Sequence, residues 1–199
     1  MGCFISVKEI IEKRHAYRAL EKVKITRDLI DDLATSAQLS ASCFNFQPWR
    51  FVFVYEKEML EKVFGILKES NKWAHKASMI IAVFSKREFD CTPGKSREYY
   101  LFDTGMATAY MILRGTELGL VMHPIAGYSH SGIKKVLEIP EEMTAITLVI
   151  VGKHSTDVSY LTEKQIASEK KRPTRKNLDE FVYLNKYSEN KKEKKNAQT

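Results

Sequence analysis

With 199 residues, 44% of them hydrophobic, the chain is long enough to bury a sizeable core as one domain without disulfides or a structural metal. Its formal charge of +7 does not make it a nucleic-acid binder, because the stretch from Lys186 to Thr199 holds +3 of that charge. The remaining +4 is scattered, with no RNP-like strand, helix-turn-helix pattern or zinc finger.

No run of 18 apolar residues occurs, and the opening MGCFISVKEIIEKR turns charged too soon for a signal peptide, so a cytoplasmic protein with no membrane partner is expected. Gly2, Cys3 and Ser6 form a myristoylation-like pattern, but it is short and lacks a second membrane signal. Cys3, Cys43 and Cys91 are odd in number, far apart and free of CxxC or Cys/His spacing. They suggest neither a disulfide framework nor a zinc site, and point to a reducing compartment. Residues 1–185 read as one domain and 186–199 as a basic tail expected to be disordered.

Helical and strand patterns alternate along the chain, the mark of an α/β or α+β domain. Ser6 and Glu9 fit a capping box opening a helix that runs to about Arg14. Thr26 caps a second, in which Leu29, Ile30, Leu33, Ala34 and Ala37 share one face. After SASCFNFQPW, residues Arg50 to Tyr55 read as a strand, Glu58 to Ser70 as a helix and Met79 to Phe84 as a buried strand. A long helix is predicted from about Tyr99 to Leu118, with Gly119 placed to stop it. Ser129 or Ser131 caps a short helix ending before Ile139-Pro140, and Ala145 to Gly152 is a third buried strand.

Two connecting segments carry chemistry. RHAYR, Arg14 to Arg18, groups three cationic or potentially cationic side chains that suit a phosphate. In SASCFNFQPW, Asn45 and Gln47 offer donors and acceptors beside rigid Pro48 and large Trp49, which suits a planar heterocycle. Taken singly, the first reads better as a solvated surface and the second as a structural turn.

Together these segments resemble the nitroreductase family of FMN-dependent oxidoreductases. RHAYR is similar to that family's Arg-Arg-Ser-x-Arg phosphate motif, and SASCFNFQPWRFVFV to its Ala-Pro-Ser-x-x-Asn-x-Gln-Pro-Trp-x-Phe motif. NKWAHKASMIIAVFS from Asn71, DTGMATAYMILRGTELGLVMHPIAGYS and IPEEMTAITLVIVGK follow in the family's order, and RKNLDEFV from Arg175 resembles its C-terminal segment. The resemblance extends to about Tyr187.

It implies an α+β sandwich, a mostly antiparallel sheet flanked by helices, in an obligate homodimer with a long interface helix. It further implies tightly bound FMN, one per active site, with NADH or NADPH as transient co-substrate. Arg14, His15, Ala16, Arg18 and Arg175 would surround the phosphate. Ser42, Cys43, Asn45 and Gln47 would reach the flavin from the neighbouring subunit. Asn71 and Lys72 would bind the ribityl or pyrimidine side, and Pro124, Ile125, Ala126 and Gly127 would line the isoalloxazine as a loop. Ala16, Ala41, Lys72 and Asn177 depart from the family's serine, proline, glutamine and proline; none removes a charge. Lys72 is a candidate to stabilise negative charge on reduced flavin.

The implied reaction is ping-pong reduction of nitroaromatics, quinones or similar small acceptors by NAD(P)H. The flavin carries the chemistry, so no side chain is nominated as catalytic. His123 and Tyr128 flank the flavin loop, while His75, His130 and His154 suggest surface or capping roles. There is no Gly-x-Gly-x-x-Gly after a strand and no P-loop. The alternatives are a flavin carrier without turnover and a flavin-consuming, dehalogenating or azoline-oxidising relative.

Overall fold

A computed structural model describes residues 6–91 and 97–188. The Gly2-Cys3 pattern, residues 92–96 and the tail beyond 188 lie outside the described residues. No described helix is long and apolar enough to cross a membrane.

The organising element is β5, Thr144–His154, whose residues alternate between two apolar faces. It pairs antiparallel with β3, Met79–Ser85, on one edge and with β4, Leu120–Ile125, on the other. The strand β2, Arg50–Val54, adds antiparallel beyond β3. The two-residue β1, Leu20–Glu21, joins the end of β5; because Lys153 pairs with both Glu21 and Leu120, β1 lies on the edge opposite β4.

Strand periodicity sets the layers. Ile80, Ala82, Leu148 and Ile150 face one core with Trp73, Tyr128 and Ile133. Their alternates Met79, Ile81, Val83, Val149 and Val151 face the other, with Leu33, Ala37, Ala107 and Met111. The second core is roofed by α2, Arg27–Gln38, packed on α4, Tyr99–Glu117. The first is covered by α3, Lys57–Phe64, the 3-10 segment Glu69–Lys76, and α5, His130–Val136. The chain opens with α1, Val7–Lys13, and α6, Glu163–Lys170, precedes an extended C-terminal arm. This is the expected helix-flanked antiparallel sheet.

The caps form as read. Ser6 and Glu9 close a capping box, Thr26 Oγ1 accepts from the Leu29 N–H, and Ser129 caps α5. Gly119 follows α4 at φ 76°, a left-handed position where a Cβ is penalised.

Three readings are corrected. The predicted helix Glu58–Ser70 stops at Phe64, since Leu67 bridges to Tyr128 and the Lys68 N–H donates to the Gly127 carbonyl. His123, Pro124 and Ile125 belong to β4 rather than to a loop; β4 is an edge strand, where a proline without an N–H is tolerated. Finally, Cys43 and Cys91 form a disulfide, with Cα atoms 5.8 Å apart. Their separation of 48 positions hid a proximity that only the tertiary fold creates.

Candidate functional site

The residues that follow α1 leave the helix at Arg14 and run extended toward β1. Backbone donors hold that run in place: Arg18 and Ala19 N–H groups reach the Glu169 carboxylate on α6 at 2.7 and 3.3 Å, and the Leu20 N–H reaches the Tyr160 hydroxyl at 2.7 Å. Tyr17 stacks on His154 at 3.8 Å and lies 4.1 Å from the His15 ring, with half-buried Ala16 between them in sequence.

Cationic groups converge on this edge. Arg172, just past α6, donates to the Glu12 and Arg14 carbonyls, each at 2.6 Å. Partial burial, then Arg172 and Arg175, pull Arg14 below the usual arginine range. Burial followed by Arg172 also depresses His15, with Glu169 opposing. Three guanidiniums and an imidazole thus repel one another here, which an anion would relieve. Arg175 itself is exposed and donates only to the Pro173 carbonyl, at 3.3 Å, among the bonds described.

A second set of contacts joins this edge to the end of β4. Arg18 lies over the Trp73 ring at 5.8 Å, and Trp73 meets His123 at 4.7 Å. His123 Nδ1 is 3.0 Å from the Tyr17 carbonyl, which can only accept, so the neutral ring carries its proton on Nδ1. Burial holds His123 down at about 4. The Trp73 indole donates to Asn71 Oδ1 at 3.2 Å, which turns Asn71 Nδ2 toward the Gly127 carbonyl at 3.0 Å. Pro124 and Ala126 are exposed, Gly127 is half-buried and Ile125 is buried, so Ile125 presents no side chain outward. Lys72 is exposed and ion-paired with Glu69 at 2.7 Å.

Ser42 to Gln47 form a separate protruding loop. The Ser42 hydroxyl accepts from the Gln47 N–H at 3.0 Å, and Gln47 Nε2 donates to the Asn45 side chain at 3.2 Å. Phe44, Asn45 and Gln47 all adopt left-handed backbone, at φ 48°, 58° and 48°. Asn tolerates that region, whereas Phe44 and Gln47 each cost about 1 kcal/mol or more. The Cys43 N–H donates to Asp103 Oδ2 at 3.1 Å, and Phe44 is 80% exposed.

The structure therefore assembles Arg14, His15, Ala16, Arg18, Asn71 and Gly127, with Arg175 within electrostatic reach of Arg14. No described contact joins them to Ser42, Cys43, Asn45 or Gln47 of the same chain. Sequence reading missed Arg172, whose signal, a basic residue just after a helix, belongs to no motif. Tyr128 is buried against His130, and burial pushes its hydroxyl up to about 12. His75 stacks on Phe64, so ring packing describes these histidines better than capping.

The chain is thus an antiparallel sheet between two helical layers, with a cluster of cationic side chains at one edge. The family model described as the nitroreductase family matches residues 11–78 and 65–153, and the chain belongs to that family. A putative NADH dehydrogenase/NAD(P)H nitroreductase of Methanothermobacter thermautotrophicus is 24% identical over 158 residues, covering 74% of this chain and 77% of the relative. An oxidoreductase described as containing FMN superposes with a TM-score of 0.79 at 24% identity, over 94% of this chain and 96% of its own. A nitroreductase family protein from Clostridium difficile gives 0.74 at 22% identity, over 92% and 100%.

Proposed function

We propose that the protein is an FMN-dependent oxidoreductase that uses NADH or NADPH to reduce nitroaromatics, quinones or similar small acceptors in a ping-pong two-electron cycle. Residues 1–185 are its single domain, and it works as a homodimer with flavin sites at the interface. The observation that carries this reading is the meeting of Arg14, His15 and Arg172 on the segment that Arg18 and Trp73 link to the Asn71–Gly127 pair.

The residues present fit the cofactor. A phosphate dianion among Arg14, Arg18, Arg172 and Arg175 would offset the repulsion from Arg172 and Arg175 that adds to burial in depressing Arg14. Bound FMN supplies the redox chemistry, taking two electrons from the nicotinamide and giving them to the acceptor. Asn71 and Lys72 bind the ribityl or pyrimidine side, while Pro124, Ile125, Ala126 and Gly127 form the wall against the ring. Gly127 makes room for the Asn71 amide, which a Cβ there would displace. Asn45 of the partner subunit, with Ser42 of the partner subunit, completes the pocket.

Dimerisation is supported by the apolar surface one chain leaves exposed. Phe44, Phe46, Phe102 and Tyr110 are each about half exposed or more, as are Leu178, Phe181 and Leu184 on the C-terminal arm. A partner subunit packed on these side chains would take them out of water.

The test is anaerobic stopped flow on the purified protein. NAD(P)H is expected to bleach the bound flavin, and a nitroaromatic or quinone to restore its colour. Flavin uptake without bleaching would make the chain a carrier, and no uptake from excess FMN would refute the cofactor reading.

A further inference from the structure

Cys43 stands among the residues expected to reach the flavin, but the Cys43–Cys91 bond takes no part in the reaction proposed above. It joins the Ser42–Gln47 loop to the segment ahead of α4, and both cysteines are half-buried rather than sealed in the core. Each sits at an aspartate anchor on the first turns of α4. The Cys43 N–H is held by Asp103 Oδ2 at 3.1 Å, and Asp90, next to Cys91, accepts from the Tyr100 N–H at 2.9 Å. Asp103 is 2% exposed, and its Oδ1 has no hydrogen-bond partner among the described residues. A buried polar atom without a partner beside a disulfide is not a feature that packing alone selects.

The disulfide also closes on strained backbone. Phe44 and Gln47, with Asn45, hold left-handed conformations immediately after Cys43, so the bond and the Asp103 contact pin a loop that would otherwise relax.

We propose that Cys43–Cys91 is a thiol–disulfide exchange site that accepts a dithiol reductant, and that its state sets the conformation of the Ser42–Gln47 loop. A thiolate of the dithiol attacks one cysteine sulfur, the Cys43–Cys91 bond breaks and a mixed disulfide forms. The second thiol of the reductant then attacks that mixed disulfide. The products are two protein thiols and the oxidised reductant, with two electrons and two protons passed to the protein. The aspartate anchors stay in place, so the separated cysteines remain close enough to close again. Where the flavin reading holds, on which this consequence rests, the loop is a flavin contact and reduction lowers cofactor affinity.

The full-length protein is equilibrated in buffers of reduced and oxidised dithiothreitol, alkylated, and mapped by mass spectrometry. Cys43 and Cys91 are expected to become alkylated together, with one midpoint, while circular dichroism stays native. Hydrogen exchange across residues 44–47 is expected to accelerate at least ~10-fold on reduction, while the Cys43 N–H stays held by Asp103. Cys91→Ser should exchange at the fast rate in either buffer. A bond that resists reduction until denaturant is added overturns the exchange site, and unchanged loop exchange after reduction overturns the coupling. Flavin fluorescence titration of both redox states should show about tenfold weaker FMN binding when reduced, as expected if a tenth of the loops remain competent. Failure to bind FMN in either state refutes the flavin reading, and alkylation with hydrogen exchange still decides the exchange site.

Discussion

Asn71 and Gly127 are locked face to face: Asn71 Nδ2 donates to the Gly127 carbonyl at 3.0 Å, and a Cβ built on Gly127 would lie 2.4 Å from that same nitrogen. The side chain cannot swing aside freely, because Trp73 holds its Oδ1. Gly127→Ala is expected to expel the Asn71 amide and break both bonds. The loss is ~1–2 kcal/mol of stability, read by chemical denaturation. Flavin binding should weaken with it, and wild-type stability in G127A would mean that the pair is not constrained.

Arg172 is expected to recognise phosphate rather than the ring system. Arg172→Ala should weaken FMN by roughly 10- to 100-fold, the range for losing a hydrogen bond to a charged group. Riboflavin, which lacks the phosphate, should bind the variant and the wild type alike. Equal losses for both ligands would show that Arg172 acts by bracing the Glu12 and Arg14 carbonyls.

How far residues announce themselves depends on whether their partners are local. Ser6 with Glu9 and Thr26 with Leu29 sit three positions apart, and Gly119 follows its helix directly, so all were legible. The continuous apolar runs of β3 and β5 were equally plain, since both faces of those strands are covered. What escaped is non-local. The stop of α3 depends on Gly127 and Tyr128, the disulfide spans 48 positions, and Arg172 reaches back to Arg14. At Pro124 the resemblance implied a loop, whereas the open edge of β4 accommodates a proline within the strand.

The apolar side of α4 supplies a test of assembly. Phe102 is 55% and Tyr110 48% exposed, whereas Asp103, Ala107 and Met111 are buried. Phe102→Glu combined with Tyr110→Glu is expected to leave each chain folded but to place charges in the proposed dimer interface. Light scattering should then fall from twice the 22.9 kDa of one chain to that single mass, with loss of flavin retention. A variant that remains dimeric would move the interface elsewhere.

His123 makes stability depend on acidity. Its ordinary value of 6.5 is depressed to about 4 by burial, chiefly, and by Arg18, Arg14 and His15, while its bond to the Tyr17 carbonyl opposes the shift. Between those values the unfolded chain binds a proton that the folded chain refuses. The stability is therefore complete above pH 6.5 and is lost as pH falls toward 4, by about 3 kcal/mol in all. His123→Asn, which keeps a donor for the Tyr17 carbonyl and does not titrate, should flatten that slope when denaturation midpoints are compared across the window. Variant and wild type with the same slope would assign the acid sensitivity to other groups.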